Sequence, residues 1–298
     1  MLDIQSVRNA SLQSISLLML LASPLFGSAQ ASADSAYKVT RDIVYGDPKA
    51  LFSELESLDI YWQDNKESRP VIIYVHGGGW AFGDKSEVNS KPDFFVPKGI
   101  AFISMNYRLR WDDKLYDQLE DIVSVVKWVK DNSKTYGLDS KRVTLMGHEA
   151  GAHLVSLIST DPRYMRAQGL SLNNIRATIA IDTMSFDIPR VMKELGSFVQ
   201  RRQHRLIFGE EAASQIAASP ITHVGKDKNI PQFALLYVAD DEVNQIQAQA
   251  FAKALISSNV SAIMIPGNSS TRQTIDVELG APKDAPSGAL MAFIRATF

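Results

Sequence analysis

The polarity pattern changes its period repeatedly along the chain. Val71-Ile-Ile-Tyr-Val75 and Ile100-Ala-Phe-Ile-Ser-Met105 are apolar runs of strand length, as a strand covered on both faces requires. Between about Asp113 and Lys134, the residues Leu115, Leu119, Ile122, Val126 and Val129 recur at steps of three and four, which predicts an amphipathic helix. Arg142–Met146 predicts a third strand and Ala150–Ser159 the helix after it. Ala177–Ile181, Phe233–Val238 and Ala262–Ile265 predict further strands, with helices over Gln245–Ser257 and Ser287–Ala296. Strands and helices in alternation imply right-handed crossovers and an α/β fold, with a mostly parallel central sheet and helices on both faces. Lys38–Val44 and Leu58–Trp62 are expected as antiparallel edge strands. No repeat or linker divides residues 34–298, which are expected to form a single domain. Ligands of such sheets sit beyond the C-terminal ends of the strands, where every motif below falls.

The first 33 residues follow a different pattern. Arg8 precedes an apolar run from Ile15 to Phe26, and Ala29-Gln30-Ala31 and Ala31-Ser32-Ala33 offer small-residue cleavage sites. This reads as a signal peptide over residues 1–33 and predicts a periplasmic or secreted protein. The alternatives are a ragged N-terminal helix or an uncleaved anchor. Ser16, Ser23 and Pro24 interrupt the run, so no stable membrane span is expected once the signal is removed. The net charge of -2 leaves no excess of cations for a phosphate backbone, and nucleic acid is not an expected partner. The one basic cluster, Arg201, Arg202, His204 and Arg205, reads as a solvated face. The chain has no cysteine. Disulfides, thiolate metal sites and a cysteine nucleophile are therefore excluded together.

Two motifs carry chemistry. His76-Gly77-Gly78-Gly79-Trp80 directly follows the first buried strand. Its glycines leave backbone N–H groups uncovered, as in the loops that supply half of an oxyanion hole. A phosphate loop is the competing reading, but Asp84 stands between Gly83 and Lys85-Ser86 and would repel phosphate. Gly147-His148-Glu149-Ala150-Gly151 lies between a strand and a helix, the setting of a nucleophile elbow. Gly147 and Gly151 flank the sharp turn, and the central position, where a serine is expected, holds Glu149.

With Asn106-Tyr107-Arg108-Leu109 and Ser219-Pro220-Ile221-Thr222-His223 added, the chain resembles the α/β-hydrolase superfamily over roughly residues 40–298, in its hormone-sensitive-lipase-like and acetyl/feruloyl-esterase-like branch. The resemblance implies hydrolysis of carboxylic esters by a Ser–Asp–His triad, without a cofactor. It implies Gly78, Gly79 and Ala150 as oxyanion-hole donors and His76, Gly77 and Trp80 as their framing residues. It places the triad acid at Asp241, with Asp240 as alternative, and the triad histidine in the stretch after Pro266-Gly267, where Arg272 is the nearest match. No histidine follows His223, and a guanidinium cannot act as general base.

The remaining histidines offer no evident substitute. His76 is expected to shape its loop, the His148 ring to point away from the pocket, His153 to pack in the core, and His223 to be structural. His148 and His153 stand five apart, which does not put two ligands on one helix face, so no metal site is read. Two functions follow. One is a catalytically impaired homologue that binds a small ester or ester-like ligand. The other is an active carboxylic-ester hydrolase, for short acyl or feruloyl esters, working through a non-standard site. Glu149 is expected to imitate an acylated serine, its Cγ, Cδ and Oε falling where Oγ, the acyl carbon and the oxyanion would lie; the alternative is that Glu149 swings out to solvent and the hole binds water.

Overall fold

The computed structural model describes residues 37–49, 53–65, 67–109 and 115–298. The signal peptide read over residues 1–33 lies outside the described residues. The strands are β1 (Lys38–Val44), β2 (Ser57–Trp62), β3 (Arg69–Val75), β4 (Ala101–Met105), β5 (Leu138–His148), β6 (Ala177–Ile181), β7 (Gln232–Val238) and β8 (Ala262–Gly267). They form an eight-stranded sheet in the order β1-β2-β4-β3-β5-β6-β7-β8. The first two pairings are antiparallel and the rest parallel. This is the α/β-hydrolase fold. Among the described residues, no helix is long and apolar enough to cross a membrane.

The helices are α1 (Lys91–Phe95), α2 (Leu115–Asp131), α3 (Ser133–Tyr136), α4 (Ala150–Thr160), α5 (Pro162–Ala167) and α6 (Ile188–Arg190), followed by α7 (Phe198–Phe208), α8 (Ala212–Ala217), α9 (Glu242–Ser257), α10 (Thr274–Val277) and α11 (Ala285–Thr297). Strand side chains alternate between faces, and β3 shows what that does here. Val71, Ile73 and Val75 pack in one core with Ile122 and Val126 of α2 and Leu154 of α4. Ile72 and Tyr74 pack in the opposite core with Phe95 of α1 and Phe293 of α11. All seven residues of β3 are buried, which is why the run carries no alternation.

Two readings change. β2 is not an edge strand: it pairs with β1 on one side and β4 on the other, and Leu58 and Ile60 are fully buried. Asp59 between them is also buried because Lys85 reaches it at 2.7 Å, so its polarity did not mark an exposed face. The basic cluster between β6 and β7, read as a solvated face, lies on α7, where His204 is buried. Ser197 caps α7 by accepting from the Gln200 N–H, and the Gln200 side chain accepts from the Ser197 N–H. That Ser-x-x-Gln capping box was the available signal.

Candidate active site

β5 ends at the elbow, and its flanking glycines are required by close approach. A Cβ on Gly151 would lie 2.1 Å from the Val75 carbonyl oxygen, and one on Gly147 would lie 2.4 Å from the Gly151 backbone. Glu149 sits at φ 49° and ψ -106°, a conformation costly for a residue with a side chain. Its N–H donates to the Ile181 carbonyl at 2.9 Å, and its carbonyl accepts from His153 at 3.1 Å as α4 begins. The turn is thus held from both ends, and the side chain projects toward the glycine loop.

One oxygen of the Glu149 carboxylate accepts from the backbone N–H of Gly78 at 2.9 Å and of Gly79 at 2.8 Å. Gly78 has φ 110° and Gly79 φ 60°, so the loop keeps both N–H groups turned to one point. Ala150, the third expected donor, opens α4 and is buried. The carboxylate therefore sits at the point on which these two N–H groups converge. Replacing Glu149 by Gln keeps the shape but gives up charge assistance at two donors. The Glu149→Gln variant is expected to lose about 1 kcal/mol of stability at pH 7. Equal denaturant midpoints for parent and variant would count against that geometry.

The surrounding motif residues frame this point. His76 donates through Nδ1 to the Gly77 carbonyl at 2.7 Å and stacks on Tyr107 with ring centroids 4.4 Å apart. The Tyr107 hydroxyl donates to the His76 carbonyl at 3.0 Å. Asn106 accepts from the Lys85 N–H at 2.6 Å, and Arg108 grips Asp121 at 2.6 Å. The Asn106–Arg108 segment thus fixes the glycine loop. Ser219 accepts from the Ile188 N–H at 3.0 Å, and His223 donates to the Ala217 carbonyl at 2.8 Å, which are structural tasks.

Beyond the ends of β7 and β8 stands an ion pair. Arg272 meets Asp241 through Nε and a terminal nitrogen, both at 2.5 Å. Asp241 also caps α9 by accepting from the Asn244 N–H at 3.1 Å. Asp240 next to it is exposed. His148 donates through Nε2 to the Arg272 carbonyl at 3.1 Å, so its ring ties the elbow to the Arg272 loop. Beneath that loop Asp276 accepts from the Tyr74 hydroxyl at 2.9 Å and pairs with the fully buried Lys91 at 3.0 Å.

His153 is fully buried, as its helical position predicts. Its Nδ1 accepts from the Trp80 indole at 3.2 Å and its Nε2 donates to the Ala218 carbonyl at 2.8 Å, which fixes the neutral tautomer. Burial pulls its pKa from 6.5 to about 4. Below pH 6.5 the unfolded chain binds the extra proton, so this stability is complete above that value and lost as the pH falls toward about 4. By pH 5 the loss is about 2 kcal/mol from this group. Denaturant midpoints at pH 7 and pH 5, for parent and His153→Gln, check this; an equal pH dependence in both would refute it.

Residues that the sequence motifs did not mark also stand beyond the strand ends. Asp182, at φ 51° beyond β6, is buried and accepts from the Val238 N–H at 3.1 Å. Burial pushes its carboxyl above the usual range, against hydrogen bonds from Asn244 and Val238 and with the nearby Asp241 charge adding to the rise. α7 covers the glycine loop: a Cβ on Gly79 would meet the Gln203 amide nitrogen at 2.5 Å. His204 of the same helix is buried, not part of a solvated face, and bonds Ser185 at 2.9 Å. No regular spacing links Ser185 to His204, and only the folding of α7 over β6 brings them together.

Residues 58–255 match the BD-FAE family. The chain belongs to that family. Juvenile hormone esterase of Heliothis virescens is 32% identical over 151 residues, covering 42% of this chain and 27% of that protein. The probable carboxylic ester hydrolase LipM of Mycobacterium tuberculosis is 25% identical over 225 residues, covering 72% of this chain and 51% of that protein. The chain thus spans about half or less of the length of these curated relatives. Among solved structures, esterase B from Lactobacillus rhamnosis is similar with a TM-score of 0.72 at 21% identity, covering 88% of each chain. The same esterase is described with a tributyrin phosphonate inhibitor. The protein is thus an esterase-family α/β-hydrolase.

Proposed function

We propose that the pocket beyond the strand ends takes a carboxylic ester or ester-like ligand, and that the Ser–Asp–His route to its hydrolysis is closed. The contact of the Glu149 carboxylate with Gly78 and Gly79, at 2.9 and 2.8 Å, carries this reading, because the nucleophile position fills the oxyanion donors itself. Arg272 pairs with Asp241, which on this reading leaves no base beside that acid, because a guanidinium takes no proton. A second reading is hydrolysis of short acyl or feruloyl esters through a non-standard site. Kinship speaks for it, since the relatives above are named as ester hydrolases. Turnover of short-chain aryl esters by the purified chain, beside Glu149→Ala, separates the two. No turnover in either protein supports the closed route; turnover in the parent that survives Glu149→Ala supports a site elsewhere. We extend the proposal to export: material from the native host should begin near Ser32 or Asp34 by N-terminal sequencing, and a start at Met1 would sink it.

A further inference from the structure

We propose that Ser185 and His204 form a second nucleophile–base pair, placed to act on carboxylic esters admitted beside Glu149. Ser185 Oγ lies 2.9 Å from His204 Nε2, and His204 Nδ1 lies 2.9 Å from the Gln200 carbonyl oxygen. A carbonyl can only accept, so Nδ1 carries the ring hydrogen and Nε2 presents its lone pair. The Ser185 hydroxyl must then donate to the imidazole, which is the arrangement that activates a serine. Of the five histidines, His204 is the one set to receive a serine proton. His148 and His223 donate to carbonyls through Nε2, His153 accepts from an indole, and His76 donates to its neighbour's carbonyl.

The surroundings favour the base form. Burial pulls the His204 pKa below its usual range, with the Gln200 carbonyl and the Glu149 charge opposing, so the ring is neutral and ready to accept at pH 7. The ring is fixed between Trp80, with centroids 5.9 Å apart, and Phe208 at 5.5 Å. The negative charge of Glu149 favours the protonated ring through space. Hydroxyl and imidazole are therefore in direct contact, within reach of the Glu149 charge, at positions unlike those of the family.

The chemistry balances without a co-reactant other than water. Ser185 Oγ bonds to the ester carbonyl carbon while its proton passes to His204 Nε2 and the carbonyl electron pair moves to oxygen. The C–O bond to the alcohol then breaks, and the departing oxygen takes the proton from Nε2. Water adds to the acyl-serine with its proton going to Nε2, and collapse returns that proton to Ser185 as the acid leaves. Ser185 is 1% and His204 2% exposed, so a substrate reaches them only as α7 shifts. That helix lies between Gly196 and Gly209; Gly209 has φ 78°, and a Cβ added there would meet no atom within 4 Å.

The inference rests on the ester-pocket reading, and the test separates the two. The full chain is incubated with a small p-nitrophenyl alkylphosphonate and followed by intact mass and peptide mapping. One adduct per chain is expected, on Ser185. It should be absent in Ser185→Ala and should form about a hundred-fold more slowly in His204→Gln. No adduct on the parent, an adduct on another residue, or labelling of His204→Gln at the parent rate overturns the pair. Because the parent decides by itself, a variant that fails to fold does not rescue the idea. Calorimetry with a ketone isostere of a short ester runs in parallel. Binding without an adduct refutes the Ser185–His204 pair alone, and absence of both refutes the ester pocket as well. A contact that only braces α7 would lower the melting temperature of Ser185→Ala without any phosphonylation of the parent.

Discussion

Turnover of short-chain aryl esters through the elbow is expected to rise on the order of a hundred-fold or more over the parent in Glu149→Ser/Arg272→His, and to change little in Glu149→Ser alone. Glu149→Ser frees the N–H groups of Gly78 and Gly79, now 2.9 and 2.8 Å from the carboxylate, and puts a hydroxyl on the same strained turn. The serine then has oxyanion donors but no base at the mouth. Arg272 touches Asp241 at 2.5 Å, so a histidine there would find an acid already oriented by the Asn244 N–H. A nucleophile and its base act as a unit, and restoring one without the other returns little of their joint effect. The Ser185→Ala background removes any contribution from the second pair. Equal rates in the single and double variants, measured there, would show that position 272 does not reach the base position.

The largest loss of stability is expected from Asp276→Ala, about 3–5 kcal/mol by denaturant unfolding at pH 7. Lys91 is fully buried, and its ammonium pairs with the Asp276 carboxylate at 3.0 Å and donates to the Asp276 carbonyl at 2.9 Å. Burial pulls the Lys91 pKa down and Asp276 opposes this, so removal of the carboxylate strands a charge in the core. The Tyr74 hydroxyl loses its acceptor in the same step. Lys91→Met/Asp276→Leu should recover much of the loss, because apolar replacement of a whole buried pair costs far less than breaking it. A double variant as unstable as Asp276→Ala would place the cost elsewhere. Asp276 lies on α10 just after Arg272, so Asp276→Ala also loosens the loop that carries the Arg272–Asp241 contact.

The sheet and the two sharp turns were legible in the residues themselves. Continuous apolar runs such as Val71–Val75 can satisfy two covered faces and little else, and Gly78, Gly147 and Gly151 stand where backbone must approach backbone. Covalent geometry also implied that a glutamate at the elbow could reach the place of an acyl oxygen, since side-chain length is a local property. Contacts between segments distant in the chain had to wait for the folded molecule. Asp240 and Asp241 are alike in sequence, and the folded chain distinguishes them: Asp241 caps α9 and pairs with the returning Arg272, while Asp240 is exposed. Asp59 looks like a surface residue until Lys85, 26 positions on, neutralises it inside. Ser185 and His204, 19 positions apart, carry no shared motif. Their bond exists because α7 folds its buried side over the end of β6, and a side chain's proton acceptor is set by such packing and not by its neighbours in sequence.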